Sequence, residues 1–282
     1  MVTVNGNTKL LGIFGDPVAH SLSPAMQNAA LSVAGINAVY LPFHVHPEQL
    51  KSAVESIRTL NLVGVNVTVP HKVTILPFLD RIDSDAALIG AVNTVVNYNG
   101  ILTGFNTDAP GFLASLRHDL QFDPQGKKAV LLGAGGACRA ALTALARHGV
   151  AEILIANRTK QKAEILAEEM LLHFPTIRFT ASGLVESDLA DFLSHADLLV
   201  NTSSIGLAGE SFPAFILKRM QADAVVYDMV YARESTSLLK SARQRGLNSA
   251  DGRGMLVAQG EAAFLKWFGV PPSKGVMGSE VI

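Results

Sequence analysis

"KKAVLLGAGGAC", Lys127 to Cys138, decides the fold. "AVLL" is a continuous apolar run, as in a strand buried on both faces, and it stops on glycines. A helical pattern, "RAALTALARHG", follows at once. Strand, glycine turn and helix make the opening of a βαβ unit. Toward the C-terminus the alternation repeats: strand "EILIANRT", helix "KQKAEILAEEMLLHF", strand "IRFTAS", a helix around Ser187–His195, strand "DLLVNTSS", strand "AVVYDMV" and helix "STSLLKSARQRG". Such alternation predicts a parallel sheet with helices on both faces.

Toward the N-terminus the order is less regular. "KLLGIFG" reads as a strand and "SPAMQNAALSVAG" as a helix, with Ser23 as N-cap, Pro24 at the first helical position and Gly35 as the stop. After strand "AVYLPFHV", the segment "PEQLKSAVESIRTL" predicts a helix burying Leu50, Val54, Ile57 and Leu60. "LVGVNVTV" is a strand, and "VVNYNGILTG" a hairpin turning at Asn99-Gly100. "TDAPGFLASLRHDLQ" is expected to carry the chain across as a helix, and "ADGRGMLVAQGEAAFLKWFG" to return as a last helix packed on the first domain. The expected class is α/β with domains at 1–107, 108–250 and a C-terminal helical segment at 251–282.

The 282 residues carry 49% hydrophobic side chains and a formal net charge of −1. That material suits substantial cores and argues against a surface that tracks nucleic-acid phosphates. One cysteine permits no intrachain disulfide. There is no leader-like start and no run of transmembrane length, so a cytoplasmic protein that engages neither membrane nor nucleic acid is expected. No Cys, His and acid residues stand at metal-ligand spacing, so no metal is expected.

The glycine turn carries chemistry. Gly133 permits a tight turn, Gly135 lets backbone approach a pyrophosphate, and the helix beyond offers unpaired N–H groups. The third position of the G-x-G-x-x-G spacing is Cys138, small enough for close helix packing. At the end of the next strand an NAD site usually places an acid. Here stand Asn157, Arg158 and Thr159, with Lys160 and Lys162 beyond. Arg158 can bind a phosphate dianion and stack on adenine, so the composition points to NADP.

"HSLSPAMQN", "NVTVPHK", "GAVNT", "GFNTDAPG", "GAGGACRA", "NRT", "DMVY" and "GMLVAQ" occur in an order and spacing that resembles the shikimate dehydrogenases over almost the whole chain. The resemblance implies reversible NADPH-dependent reduction of 3-dehydroshikimate to shikimate. It also implies a mixed-sheet substrate domain split around a Rossmann-like cofactor domain. It implies that Ser21 and Ser23 bind the substrate carboxylate, that Thr68, Asn93 and Gln259 surround the ring, and that Tyr231 lies against it. Lys72 and Asp108 correspond to the catalytic pair. Gly133, Ala134, Gly135, Gly136 and Ala137 correspond to the pyrophosphate loop. Asn157, Arg158, Thr159 and Lys162 correspond to the adenosine-phosphate site, with Met229 and Gly252 also beside the cofactor. Two departures stand out: a lysine at 162, where arginine is frequent, and "YARESTSLL", without a proline soon after the tyrosine. A quinate or dual-specificity dehydrogenase is the neighbouring alternative, a non-catalytic sensor the remote one, and the assembly is a monomer or homodimer.

The residues have physical readings of their own. An extended "HSLSP" would point both serine hydroxyls to one side. In "VGVNVTVP", alternation sends Val65, Val67 and Val69 into a core and Asn66 and Thr68 to the other face. Asp108 suits either an N-cap or a partner of Lys72. Ketone reduction builds negative charge on oxygen, and a lysine proton donor held by a carboxylate answers it. His71 is expected to be solvent-exposed and to point away.

Overall fold

The computed structural model describes residues 4–231 and 234–281. The chain divides into two compact units, Met1–Gly111 with Leu256–Ile282, and Phe112–Met255.

In the first unit the strands are β1 (Lys9–Gly15), β2 (Ala38–His44), β3 (Gly64–Val67), β4 (Arg81–Ile82), β5 (Thr94–Tyr98) and β6 (Ile101–Phe105). The helices are α1 (Ser23–Val33), α2 (Leu50–Thr59), α3 (His71–Thr74) and α4 (Ser84–Ile89), while α5 (Asp108–Leu120) begins here and continues into the second unit. The sheet order is β2-β1-β3-β5-β6-β4. Its β2, β1 and β3 are parallel, and β5 and β6 form an antiparallel hairpin against β3. The hairpin turns through Asn99 and Gly100, both at positive φ, as the two-residue turn requires.

Local departures have local causes. Leu50, Val54 and Ile57 of α2 are buried, but the helix ends at Thr59 and Leu60 is exposed. Val65 and Val67 enter the core, whereas Val69 is 65% exposed because β3 stops at Val67. Ser23 is not the N-cap of α1. That position is Leu22, whose αR backbone also breaks the extended path assumed for the two serines.

The second unit contains β7 (Lys128–Leu132), β8 (Glu152–Ala156), β9 (Arg178–Ser182), β10 (Leu198–Asn201), β11 (Val225–Asp228) and β12 (Asn248–Asp251). Between them run α6 (Gly136–Arg147), α7 (Lys160–His173), α8 (Glu186–Leu193), α9 (Phe215–Arg219) and α10 (Ser237–Gln244). The order β12-β11-β10-β7-β8-β9 is parallel throughout. It is the doubly wound dinucleotide-binding order, whose direction reverses between β7 and β10. In this unit α9 and β12 have no counterpart in the sequence reading, as α3, β4 and α4 have none in the first. "NSAD" carries neither an apolar run nor β-branched residues.

Finally α11 (Arg253–Phe268) ends with residues of the first unit. There Trp267 Nε1 donates to the Val95 carbonyl at 3.0 Å, and the Gly260 carbonyl accepts from Gln27 Nε2 at 3.0 Å. A side chain at Gly64 would strike the Trp267 ring, 2.8 Å away at Cδ1. No helix among the described residues is long and apolar enough to cross a membrane.

Candidate active site

Lys72 stands in the first turn of α3, whose N-cap is Pro70. Its Nζ donates to Asp108 Oδ2 at 2.6 Å, and the two side chains are 16% and 5% exposed. Asp108 opens α5 but does not cap it. Asn106 Oδ1 accepts from the N–H groups of Asp108 and Ala109, at 3.0 and 3.2 Å. Asn106 Nδ2 is in turn held by the Ala91 carbonyl at 2.9 Å. With the helix end satisfied by Asn106, the Asp108 carboxylate is left for lysine.

Asn93, just before β5, completes the arrangement. Its Nδ2 faces Asp108 Oδ1 at 3.0 Å, Thr107 Oγ1 at 2.9 Å and Gln259 Oε1 at 3.4 Å. Its Oδ1 accepts from the Thr107 N–H at 2.7 Å. A second layer lies behind. Tyr40 Oη donates to Asn66 Oδ1 at 2.7 Å, and Asn66 Nδ2 reaches the Asn93 carbonyl and Thr94 Oγ1, both at 3.1 Å. Buried polar groups linked in this way favour one geometry. Sequence inspection missed Asn106, Thr107 and Thr94 as members, although "GFNTD" and "GAVNT" contain all three.

The other sequence candidates in this unit lie in smaller groups. Ser21 Oγ accepts from the Ser23 N–H at 3.3 Å, and Ser23 is buried. Thr68 is half-buried, with its N–H on the Phe14 carbonyl at 2.9 Å. His71 corrects an expectation. It is fully buried, and its Nε2–H donates to the Val45 carbonyl at 2.6 Å because α3 turns the ring inward.

In the second unit the loop Gly133–Ala137 leaves β7 at the switch point. Gly133 has φ +124°, which favours glycine, and a Cβ there would lie 2.7 Å from Thr202 Oγ1 beyond β10. Its N–H bonds the Ala156 carbonyl at 2.8 Å, tying the loop to the end of β8. Gly135 is the N-cap of α6, and no side chain caps that helix end. A Cβ at Gly135 would meet nothing within 4 Å, so the approach is open. Gly136 and Ala137 open the helix, and Ala134 is half-buried. Cys138 is fully buried, and burial pushes its thiol up to about 12.

At the end of β8, Asn157 Nδ2 donates to the Thr159 carbonyl at 2.9 Å, shaping the turn into α7. Arg158 and Lys162 are exposed, and neither has an ion-pair partner among the described residues, whereas Lys160 pairs with Glu164 at 3.5 Å. Uncapped N–H groups, an open glycine approach and unpaired cations one strand over fit a dinucleotide with an extra phosphate.

Met229 and Gly252 are neighbours, because a Cβ on Gly252 would strike the Met229 carbonyl. The segment to Tyr231 is held by Asp228, which accepts from the Val230 N–H at 3.0 Å, Thr236 Oγ1 at 2.6 Å and Asn201 Nδ2 at 2.8 Å. Burial raises the Asp228 carboxyl above its usual range against those bonds. Tyr231 is half-buried, and the next two residues of "YARESTSLL", Ala232 and Arg233, lie outside the described residues.

Residues 13–95 match the family model of the shikimate dehydrogenase substrate binding domain, and 115–205 that of shikimate / quinate 5-dehydrogenase. The shikimate dehydrogenase (NADP(+)) of Geobacter metallireducens is 48% identical over 279 residues, 99% of this chain and 98% of that one. The crystal structure of shikimate dehydrogenase from Aquifex aeolicus superposes with a TM-score of 0.89 at 41% identity, covering 99% of both chains. That of the Thermus thermophilus shikimate 5-dehydrogenase, in complex with NADP(H) and shikimate, gives 0.84 at 36% identity, over 97% of this chain and 98% of the other.

Proposed function

The chain belongs to the shikimate dehydrogenase family, and from that premise we propose that it reduces 3-dehydroshikimate reversibly to shikimate with NADPH. The observation that carries the chemistry is the Lys72–Asp108 pair at 2.6 Å, nearly closed to solvent and braced by Asn93.

The first unit is the substrate-binding half and the second the cofactor-binding half. Ser21 and Ser23 hold the substrate carboxylate, while Thr68, Asn93 and Gln259 surround the ring. Bound NADPH supplies the hydride that becomes the new C–H bond. Charge then develops on the former carbonyl oxygen, and the Lys72 ammonium donates a proton to it, so the C=O double bond becomes C–OH. Asp108 keeps the lysine nitrogen in place while the proton is transferred. The residual exposure of Lys72 lets it recover its proton from water. Shikimate oxidation runs the same steps backward.

In the cofactor half, N–H groups of Gly135, Gly136 and Ala137 receive the pyrophosphate at the start of α6. Arg158 and Lys162 receive the extra phosphate of the adenosine ribose, Asn157 and Thr159 shape their turn, and Met229 and Gly252 line the nicotinamide end.

The test is a four-way turnover assay with shikimate or quinate and with NADP+ or NAD+. Shikimate with NADP+ is expected to give the highest kcat/KM. Preference for quinate, or no turnover by folded protein, overturns the assignment.

A further inference from the structure

We propose that Asp16, His44 and His46 form a binding site for one divalent late transition-metal ion, represented by Zn2+. None of the three is among the residues proposed above to hold substrate or cofactor, and the inference does not rest on that function.

Strand register assembles the group. In the parallel pair β1–β2, Gly15 stands opposite His44, so Asp16 leaves its strand where β2 ends. His44 and His46 are two residues apart, and His46 is extended at ψ 149°. The same-side alternation of extended chain brings both imidazoles toward the carboxylate. The stems are fixed by backbone bonds. The Asp16 N–H donates to the Val69 carbonyl at 3.0 Å, and the Val45 N–H to the Gly15 carbonyl at 3.1 Å.

The donor atoms are already gathered. Asp16 Oδ1 lies 2.6 Å from His44 Nε2, and Oδ2 lies 3.3 Å from His46 Nδ1. The imidazole centroids are 4.5 Å apart, and one donor atom from each residue lies within 4.8 Å of the others. Zn2+ takes nitrogen and oxygen ligands at about 2.0–2.2 Å, which sets tetrahedral ligand atoms roughly 3.3–3.5 Å apart. Small side-chain rotations would suffice to reach that spacing.

The donor set indicates the ion. Two imidazoles with one carboxylate suit zinc, nickel or copper, whereas magnesium and calcium prefer all-oxygen sites. Three protein ligands leave the fourth position to water. Both histidines are about half exposed, so the ion can enter from solvent. His71 does not compete, because it is fully buried.

The test is calorimetric titration of the chelator-stripped, tag-free full chain with ZnCl2 at neutral pH. Wild type, Asp16→Asn, and the His44→Gln/His46→Gln double variant are compared, and melting curves with and without Zn2+ are recorded for each. Wild type is expected to bind one equivalent with micromolar affinity. Asp16→Asn should weaken binding by about 10-fold or more, and the double variant should abolish both binding and the Zn2+-induced rise in melting temperature. Co2+ in place of Zn2+ should give tetrahedral d–d absorption that the double variant lacks. An unchanged affinity and stoichiometry in the folded double variant, or wild-type binding only at millimolar Zn2+, overturns the proposal.

Discussion

Asp108 and Gly135 both stand at the start of a helix, and the two starts are put to opposite use. At α5 the exposed N–H groups are taken by Asn106, a side chain of the protein itself. The Asp108 carboxylate is thereby released to hold Lys72. At α6 no side chain caps the helix, and the glycine there meets open space. One helix end is used to build a side-chain site, and the other is kept for a ligand's negative charge.

The comparison can be broken at several points. Lys72→Ala should cost the most, lowering kcat by about 10²- to 10⁴-fold while KM for 3-dehydroshikimate changes far less. A kcat near wild type in steady-state assays would remove Lys72 from the chemistry.

Gly135→Asp reverses the role of α6, because the new carboxylate caps the helix and occupies the anion's place. With φ −98° and room for a side chain, this position accepts aspartate without strain. Melting temperature should hold or rise, while KM for NADPH rises on the order of 100-fold through like-charge repulsion. Unchanged cofactor affinity by fluorescence titration would mean the pyrophosphate is bound elsewhere.

Asn106→Ala reverses the role of α5. Losing this cap should cost about 1 kcal/mol, seen as a fall of a few degrees in melting temperature. Turnover should fall more steeply than cofactor binding, since Asp108 would be drawn toward its own helix end. Equal losses in both would place Asn106 outside the comparison.

The smallest effect concerns Cys138, inside α6. Its thiol is buried and raised to about 12, so it is protonated at neutral pH. Native protein should leave an aromatic disulfide reagent unreacted, and denatured protein should release one equivalent. Rapid labelling of the native state would show that α6 packs more loosely than its burial indicates.

Features set by local pattern were legible in the sequence. "AVLLGAGG" announced its strand, turn and helix because apolar runs and glycines act within a few residues. Asn99-Gly100 announced its turn for the same reason. The two ends of the Lys72–Asp108 pair were nameable, but the distance between them was not, since it depends on how β3 and α5 are set in one unit. Caps were misread for a related reason. Ser23 is a good capping type, but the cap position fell to Leu22, and at α5 the Asn106 side chain took the N–H groups that Asp108 could have capped. Val69 was misplaced because alternation continues past the point where pairing stops. His71 was misplaced because a short turn of helix swung its ring inward. Of the Asp16–His44–His46 group the sequence showed only the two histidines two apart, since parallel strand register brings in Asp16 from 28 and 30 residues away.

Asn93 carries a consequence of simple arithmetic. Its amide nitrogen has two hydrogens, and three acceptors face it. One acceptor is always short of a proton. Gln259 is the most distant of the three, and its own Nε2 is anchored to the Leu256 carbonyl at 2.8 Å. The glutamine oxygen thus stands last in a queue of three for two protons. A hydroxyl arriving beside it would supply what the protein leaves short, with no established bond to Asp108 or Thr107 given up in exchange.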